Sequence, residues 1–263
     1  MVESLVTPQW VDRNLAPSYF SKHPKARAGK IAITSVFYTI QGEGPFTGKP
    51  AVFVRLAGCN RGNKKDCPWC DTRFMIDAAR WVAPTELAKE VLSKIPSGVA
   101  SVMLVVTGGE PSLQPNVVAL LKDQLLVRMM KQIESNGDYA LPLPPSVVLV
   151  VSPKIGHKQE RYSRLKQKIF EDIDYLKFVV SADENSPYHN LPDWVNDFDA
   201  PRVYVSPCTV YKRVVREREV ACMWDPTLVD HQATSANYKY AARLCMEHGY
   251  TLSMQTHLFA AVE

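Results

Sequence analysis

The chain has 263 residues, of which 46% are hydrophobic and 22% charged, so it has enough apolar material for a folded core and is not a disordered protein. This length suits one α/β barrel and does not require two domains. The net charge of +4 is scattered, and the basic run at 212–218 lacks interleaved aromatic residues, so no nucleic-acid partner is predicted. We find neither a secretory signal nor an apolar run of membrane-spanning length, and we expect a cytoplasmic protein with reduced cysteines and no membrane partner.

The first 29 residues carry three prolines and no sustained hydrophobic period. We predict that residues 1–29 form an N-terminal extension and that residues 30–263 form a single domain. A β-rich run from Lys30 then breaks at two glycines that flank Glu43. Such glycines would let the backbone approach a ligand while the carboxylate accepts a directed hydrogen bond. The alternative is a charged hairpin turn, which this motif alone favours.

The remaining chain alternates between predicted strands and helices. Strands are predicted at 51–56, in the apolar run that ends at Thr107, and at 129–134, 147–151, 175–180 and 202–205; helices are predicted at 84–95, 115–126, 161–172 and 237–248. This alternation indicates βαβ units and a parallel sheet. Ligands of such sheets bind at the carboxyl ends of the strands, where the glycine pair after Thr107 would expose backbone groups.

Three of the six cysteines, Cys59, Cys67 and Cys70, follow the first of these parallel strands with the spacing C-x7-C-x2-C. Three thiolates on one loop indicate a metal site. They would leave one iron of a four-iron cluster open to another ligand. The alternative is a structural zinc with a distant fourth ligand, and the loop alone does not separate the two. We expect residues 60–66 to form a surface turn that contributes no ligand.

Arg55, in the strand before the cysteines, is either a surface charge or an anion clamp, because a guanidinium group matches a carboxylate with two parallel hydrogen bonds. The other three cysteines, Cys208, Cys222 and Cys245, are isolated in the sequence and are most simply core residues.

Five blocks from Thr39 to His257, namely TIQGEGPFTGKPAVFVRLAGCN, CPWCDT, TGGEP, VSPK and LSMQTH, resemble the 7-carboxy-7-deazaguanine synthase family of radical S-adenosylmethionine (SAM) enzymes. The resemblance implies an α/β fold that forms a partial (βα)6 barrel of mainly parallel strands. Radical SAM enzymes usually have the spacing C-x3-C-x2-C, so the cysteine loop of this chain has four additional residues. Neither the first 29 residues nor the stretch at 123–145 contributes to the resemblance.

The resemblance implies three cofactors. Cys59, Cys67 and Cys70 resemble the ligands of a 4Fe-4S cluster with SAM at the open iron, and Thr72 resembles the hydroxyl ligand of a Mg2+ ion. The positions that resemble SAM contacts are Gly109, Ser152, Pro153, Lys154, Ser206, Pro207, Cys208 and Thr209. The family also implies a homodimer and an electron donor such as flavodoxin.

The resemblance further implies a pterin substrate. Its binding turn would be Ile40, Gln41, Gly42 and Glu43, with Arg55 on the substrate carboxylate, Thr107 on the ring, and His257 and the Glu263 carboxylate reaching it from the C-terminal segment. For His257 the alternative is a structural histidine under the sheet.

The implied reaction removes a hydrogen from carbon 6 of 6-carboxy-5,6,7,8-tetrahydropterin by a radical made from SAM. Ring contraction and loss of ammonia then give 7-carboxy-7-deazaguanine, and no catalytic side chain is required in the first step. The alternatives are a radical SAM reaction on another substrate and a non-catalytic zinc-binding module.

Overall fold

A computed structural model of the chain describes residues 15–61, 67, 70, 74–155, 162, 165–213 and 220–263. Its strands are β1 (Ile31–Ile40), β2 (Pro50–Leu56), β3 (Arg80–Val82), β4 (Met103–Gly108), β5 (Lys131–Ser135), β6 (Val147–Val151), β7 (Tyr175–Val180), β8 (Val203–Pro207) and β9 (Thr251–Leu252). Its helices are α1 (Pro17–Lys22), α2 (Pro24–Arg27), α3 (Pro84–Ser93), α4 (Val117–Leu121), α5 (Gln167–Asp172), α6 (His231–His248) and α7 (Thr256–Ala260). In this part of the chain, no helix has the length and apolar character needed to cross a membrane.

The described strands form one mixed sheet of nine strands in the order β3-β1-β2-β4-β5-β6-β7-β8-β9. The strands from β2 to β9 in this order pair in parallel, whereas β1 pairs antiparallel with both β2 and β3. Parallel neighbours need crossover connections, which α3 to α6 and the loops around them supply. The predicted α/β fold with mainly parallel strands is therefore confirmed, and all six predicted strands of the parallel region are present.

Four helical predictions differ from the structure in their bounds. The helix predicted at 115–126 ends at Leu121, because Asp123 adopts an extended conformation and accepts a hydrogen bond from the Leu125 amide, which starts a separate 3-10 turn. The helix predicted at 237–248 begins six residues earlier, at His231, where Asp230 caps the Ala233 amide at 3.0 Å. The helix predicted at 161–172 is seen from Gln167, and residues 161, 163 and 164 lie outside the described residues. The helix predicted at 84–95 ends at Ser93.

The residues of each strand alternate between two faces of the sheet, as the pleat requires. On the outer face, Leu104 and Val106 of β4 pack with Val52 and Val54 of β2 against α3 and α4, and all four side chains are fully buried. A second cluster packs Leu176, Phe178, Val203 and Val205 against α6. The opposite face of the same strands is left for the polar side chains that line a cavity.

The described part of the N-terminal segment covers the start of the cysteine loop. Leu15 and Phe20 are 5% and 1% exposed and pack with Ala57, Ile76 and Leu113. The Leu15 amide also donates a hydrogen bond to the carbonyl of Cys59 at 2.9 Å.

Leu104 lies in the centre of the outer-face core, so its truncation tests this packing. Leu104→Ala is expected to lower the free energy of unfolding by about 2–5 kcal/mol, because it removes buried methyl groups and leaves a cavity. Urea denaturation measures this change. Leu125→Ala is the matched control, since Leu125 is 45% exposed, and it should change the stability by less than about 0.5 kcal/mol. Equal losses in the two variants would contradict the assigned core.

Candidate active site

A cavity of about 280 Å³ lies at the carboxyl ends of the parallel strands. Seventeen of the residues predicted from the sequence line it: Ile40, Gln41, Gly42, Glu43, Arg55, Cys59, Cys67, Cys70, Thr107, Gly109, Ser152, Lys154, Pro207, Cys208, Thr209, His257 and Glu263. Pro153 and Ser206 do not line it, and Ser206 is only 1% exposed. Thr72 lies outside the described residues. The fold thus brings together residues that are spread over most of the chain.

The three cysteines of the loop after β2 all line this cavity. Cys59 is 9% exposed, and burial, opposed by a hydrogen bond from the Arg61 amide, holds the pKa of its thiol well above the ordinary value. The Cys70 amide donates to the Cys67 carbonyl at 3.1 Å, which forms a turn between these two residues. A buried thiol of this kind becomes a thiolate when a metal coordinates it.

The donor set fits an iron–sulfur cluster in its chemistry. Three cysteines line one cavity, and cysteine thiolates are the ligands of four-iron clusters. Such a cluster binds each thiolate to a separate iron, so three cysteines hold three of its four irons.

The loop after Cys59 begins inside the protein. Asn60 and Arg61 are 8% and 7% exposed, so the expected surface turn is wrong at these two positions. The physical reason is an ion pair between Arg61 and Asp138, with Nε 2.6 Å from Oδ2. Residues 62–66 lie outside the described residues, so for them the surface turn stays a prediction.

Two glycines bring the cysteine loop into backbone contact with the turn after β4. A Cβ atom on Gly109 would lie 1.9 Å from the carbonyl oxygen of Gly58, so no other residue fits this position without a shift of the backbone. The Gly109 amide donates to the Leu56 carbonyl at 2.9 Å, and the Glu110 amide donates to the Gly58 carbonyl at 2.8 Å. The loop is thereby fixed directly beside the end of β4.

The Glu110 carboxylate connects the ends of β4 and β5. It is 1% exposed and accepts hydrogen bonds from the Ser112 amide and hydroxyl, the Ser135 hydroxyl and the Asn136 amide, at 2.6 to 2.9 Å. Burial raises the pKa of Glu110, although these donors oppose the rise. The sequence showed this glutamate only as a member of TGGEP, and its role as a link between strand ends was not predicted.

A buried lysine joins two carboxylates on the inner face of the sheet. Lys177 of β7 is 8% exposed, and its Nζ lies 2.6 Å from Oε2 of Glu43 and 3.5 Å from Oε2 of Glu134. Two amides fix the other oxygens: Gln255 donates to Oε1 of Glu43 at 2.7 Å, and Gln41 donates to Oε1 of Glu134 at 2.9 Å. The positions of both carboxylates in the cavity are therefore set by the protein.

The charges in this group determine which side chains are ionised. Burial by itself would raise the pKa of Glu43, but Lys177 and, to a lesser degree, His257 outweigh it and lower the pKa to about 2. Burial would lower the pKa of Lys177, but Glu134 and Glu43 outweigh it and raise the pKa above the ordinary value. At neutral pH the group consists of a carboxylate and an ammonium ion that stabilise each other.

Lys177 and Glu134 were not predicted as site residues. The available signal was a lysine in the middle of the otherwise apolar strand YLKFVV, at a position where a charge must find a partner. Sequence alone could not identify that partner, because Glu43 is 134 residues away along the chain.

The turn around Gly42 packs against the C-terminal segment. A Cβ atom on Gly42 would lie 1.9 Å from Nδ1 of His257, so the glycine is required for this contact. The Thr256 amide donates to the Gly42 carbonyl at 2.9 Å, and the Gly44 amide donates to the Ser253 hydroxyl at 2.8 Å. This contact places His257, one of the predicted substrate-site residues, at the wall of the cavity.

Arg55 of β2 lies opposite Thr107 in the parallel register of β2 and β4. Its guanidinium carbon is 5.0 Å from the centre of the Phe37 ring, a distance at which a cation is attracted to the ring face. Among the described residues no carboxylate pairs with this guanidinium, although it lines the cavity. Its hydrogen-bond donors remain able to bind an anion.

Similar proteins are found among curated sequences and solved structures, whereas no protein-family model matches the chain. A 7-carboxy-7-deazaguanine synthase of Rickettsia prowazekii is 32% identical over 239 residues, which cover 89% of each chain. One of Rhodospirillum rubrum is 35% identical over 231 residues, which cover 86% of this chain and 89% of the relative. The crystal structure of QueE from Escherichia coli has a TM-score of 0.62, is 23% identical and covers 92% of this chain and 98% of its own, a likeness of fold.

The sheet is mainly parallel, three cysteines follow β2 in the chain, and a glycine pair lies at the end of β4. Together with these relatives, this arrangement defines a radical SAM enzyme. Because the identity exceeds 30% over most of both chains, the family is also determined. The chain belongs to the 7-carboxy-7-deazaguanine synthase family.

Replacement of Lys177 by methionine tests the charge group. Lys177→Met is expected to lower the free energy of unfolding at pH 7 by about 3–5 kcal/mol, because it leaves buried carboxylates without their cation. The loss should shrink towards pH 4, since a protonated Glu43 needs no partner. In the parent chain, whose Glu43 has a pKa of about 2 against an ordinary 4.5, the stabilisation is complete above pH 4.5 and is lost as the pH falls towards 2.

Urea denaturation at pH 7 and at pH 4 measures both effects. The control is Lys89→Met, which breaks the exposed pair of Lys89 and Glu86 and should change little at either pH. If Lys177→Met lost the same stability at both values of pH, the loss would reflect packing, and the assigned charge interaction would be wrong.

Proposed function

We propose that the cavity is the active site in which 6-carboxy-5,6,7,8-tetrahydropterin is converted to 7-carboxy-7-deazaguanine. One observation carries this proposal. Two fixed acceptors, Glu43 and Glu134, line the same cavity as the three cysteines, and so does Arg55, whose guanidinium pairs with no carboxylate of the described residues. A flat heterocycle with N–H donors and a carboxylate matches these groups in both charge and hydrogen bonding.

The two ends of the substrate would be held by different parts of the sheet. The carboxylates of Glu43 and Glu134 accept hydrogen bonds from ring or amino N–H groups, because Lys177 and two side-chain amides fix their orientation. Arg55 on β2 donates to the substrate carboxylate, and Thr107 lies beside it on β4. Ile40, Gln41, Gly42, His257 and Glu263 complete the substrate side of the cavity.

The cofactor side is assigned by the cysteines and the strand-end turns. Cys59, Cys67 and Cys70 would hold a 4Fe-4S cluster, and SAM would lie along Gly109, Ser152, Lys154, Pro207, Cys208 and Thr209, with Pro153 and Ser206 belonging to the same turns but not lining the cavity. When bound, these cofactors supply the radical that removes a hydrogen from the substrate. Mg2+ with Thr72 as a ligand also belongs to this proposal.

The protein's own contribution is to orient the substrate and keep water away. The Lys177 group fixes the pterin edge, and the close packing of Gly42 on His257 brings the C-terminal segment over the cavity. Held in one orientation, the substrate presents the same carbon to the cofactor side in every encounter, which is worth several orders of magnitude in rate. Exclusion of water prevents the quenching of reactive intermediates.

We place this reaction in the cytoplasm and assign it to a homodimer that receives electrons from a donor such as flavodoxin. We further propose that residues 30–263 act as a single domain with residues 1–29 as its extension. The assignment of the extension is supported by Leu15 and Phe20, which pack on Ala32 of β1 and so hold the end of this segment on the sheet.

Anaerobic reconstitution with iron and sulfide tests the cofactor assignment and the substrate together. The reconstituted chain should bind about four irons, cleave SAM under reduction, and form 7-carboxy-7-deazaguanine from the tetrahydropterin, SAM, Mg2+ and a reductant, as detected by mass spectrometry. Stoichiometric zinc in place of iron would indicate a zinc module. Cleavage of SAM with no turnover of the pterin would indicate another substrate.

Variants of the two substrate anchors test the orientation. Glu43→Gln and Arg55→Met are each expected to lower kcat/KM for the pterin by about 10- to 100-fold, the effect of losing a hydrogen bond to a charged group. Iron content and reductive SAM cleavage without substrate should not change. Arg80→Met is the control, because Arg80 is on the edge strand β3 and does not line the cavity. Normal pterin turnover in both anchor variants would show that the substrate binds elsewhere.

A further inference from the structure

A buried arginine lies on the cysteine loop, two residues after Cys59, and the proposed reaction does not use it. Arg61 donates from Nε and from one terminal nitrogen to the two oxygens of Asp138, both at 2.6 Å, and from its other terminal nitrogen to the Ile155 carbonyl at 2.5 Å. A planar guanidinium with partners on all sides has one orientation. The side chain of Arg61 therefore fixes the backbone to which it is attached.

Asp138 is itself held by a second set of contacts. Its Oδ2 also accepts a hydrogen bond from the Asn60 side chain at 2.6 Å. Asn136 donates to the Asn60 side-chain oxygen at 2.8 Å and accepts from the Asp138 amide at 2.9 Å. The turn after β5 thus holds both residues that follow Cys59.

This anchor acts on the Cys59 sulfur through the backbone. The Arg61 amide donates a hydrogen bond to Sγ of Cys59, with the nitrogen 3.3 Å from the sulfur. Hydrogen bonds to ligand sulfurs help to set the reduction potential of an iron–sulfur cluster, because they stabilise its more electron-rich reduced form. Residues that orient ligands without binding the metal also affect metal affinity.

We propose that Arg61 is a positioning residue, whose ion pair with Asp138 holds its own amide against the Cys59 sulfur and so raises the reduction potential of the cluster. This inference rests on the proposed 4Fe-4S cluster. The same ion pair fixes the chain at the second residue after Cys59, within the seven residues that separate Cys59 from Cys67.

The test compares Arg61→Met and Asp138→Asn in the reconstituted full chain. A redox titration followed by electron paramagnetic resonance gives the reduction potential, and the rate of iron release to a chelator gives the retention of the cluster. Arg80→Met is the matched control. Arg80 also pairs with a carboxylate, since one of its terminal nitrogens lies 2.7 and 2.8 Å from the two oxygens of Glu90, but its side chain is 54% exposed and does not line the cavity.

Both variants should shift the potential to more negative values, because each releases the amide from the sulfur. Both should lose iron about tenfold faster or more, the usual effect of removing a residue that orients a metal ligand. A pure charge effect would give opposite shifts, since one variant removes a positive charge and the other a negative one. Opposite shifts, or potentials equal to those of the parent and Arg80→Met, would overturn the inference.

A third variant keeps the test decisive if Arg61→Met does not fold. Arg61→Lys retains the charge and loses the two-pronged geometry. Its reduction potential should therefore shift to more negative values, as in the single variant Asp138→Asn. Measurements on the parent chain distinguish a failure of the proposed function from a failure of the role assigned to Arg61. A parent that binds no iron and sulfide overturns the proposed function, whereas a parent with a normal cluster and variants with unchanged potentials overturns only the role of Arg61.

Discussion

The backbone contact between Gly58 and Gly109 is the constraint on which the rest of the site depends. Gly58 follows β2 and Gly109 follows β4, and a Cβ atom on Gly109 would lie only 1.9 Å from the carbonyl oxygen of Gly58. The Gly109 amide donates to the last carbonyl of β2, and the Glu110 amide donates to the carbonyl of Gly58, next to Cys59. The end of β4 therefore fixes the position of the first cysteine. Any side chain at Gly109 would push these two segments apart, which is the physical reason for a glycine pair there.

From this contact, side-chain hydrogen bonds extend the same fixed geometry across the next strand. Glu110 accepts from residues at the end of β5, and Asn136 at that end reaches back to Asn60 on the cysteine loop. The loop is consequently held on one side by backbone hydrogen bonds and on the other by the Arg61 and Asp138 pair. A buried network is stable only if its members are satisfied, and each of these groups has a partner within hydrogen-bond distance.

The inner face of the sheet places charged side chains in a cavity, where their burial is costly. Each carboxylate near Lys177 would be costly if buried alone, and the ammonium group would be too. Placed together and held by Gln255 and Gln41, the carboxylates and the ammonium group compensate each other and are fixed in position. The outer face of these strands carries the apolar clusters that pack on helices, so the alternation of the pleat separates the site from the core.

Features that depend on residues close together in the chain could be predicted from the sequence. Apolar runs of strand length gave all six strands of the parallel region, the cysteine spacing indicated the metal loop, and glycines around Glu43 and after Thr107 marked turns where a ligand can approach. Weaker local signals failed: β3 has only three residues, and the start of α6 depended on a single capping aspartate.

The pairing of the buried charges depends on the tertiary structure and could not be predicted from the sequence. Lys177 and Glu43 are 134 residues apart and Arg61 and Asp138 are 77 apart, so no periodicity or spacing could pair them. The same holds for the burial of Asn60 and Arg61, which a polar segment in a loop would not indicate. The reason is physical: hydrophobic patterning is set by a residue and its neighbours along the strand, whereas the energy of a buried charge is set by whichever group the completed sheet places beside it.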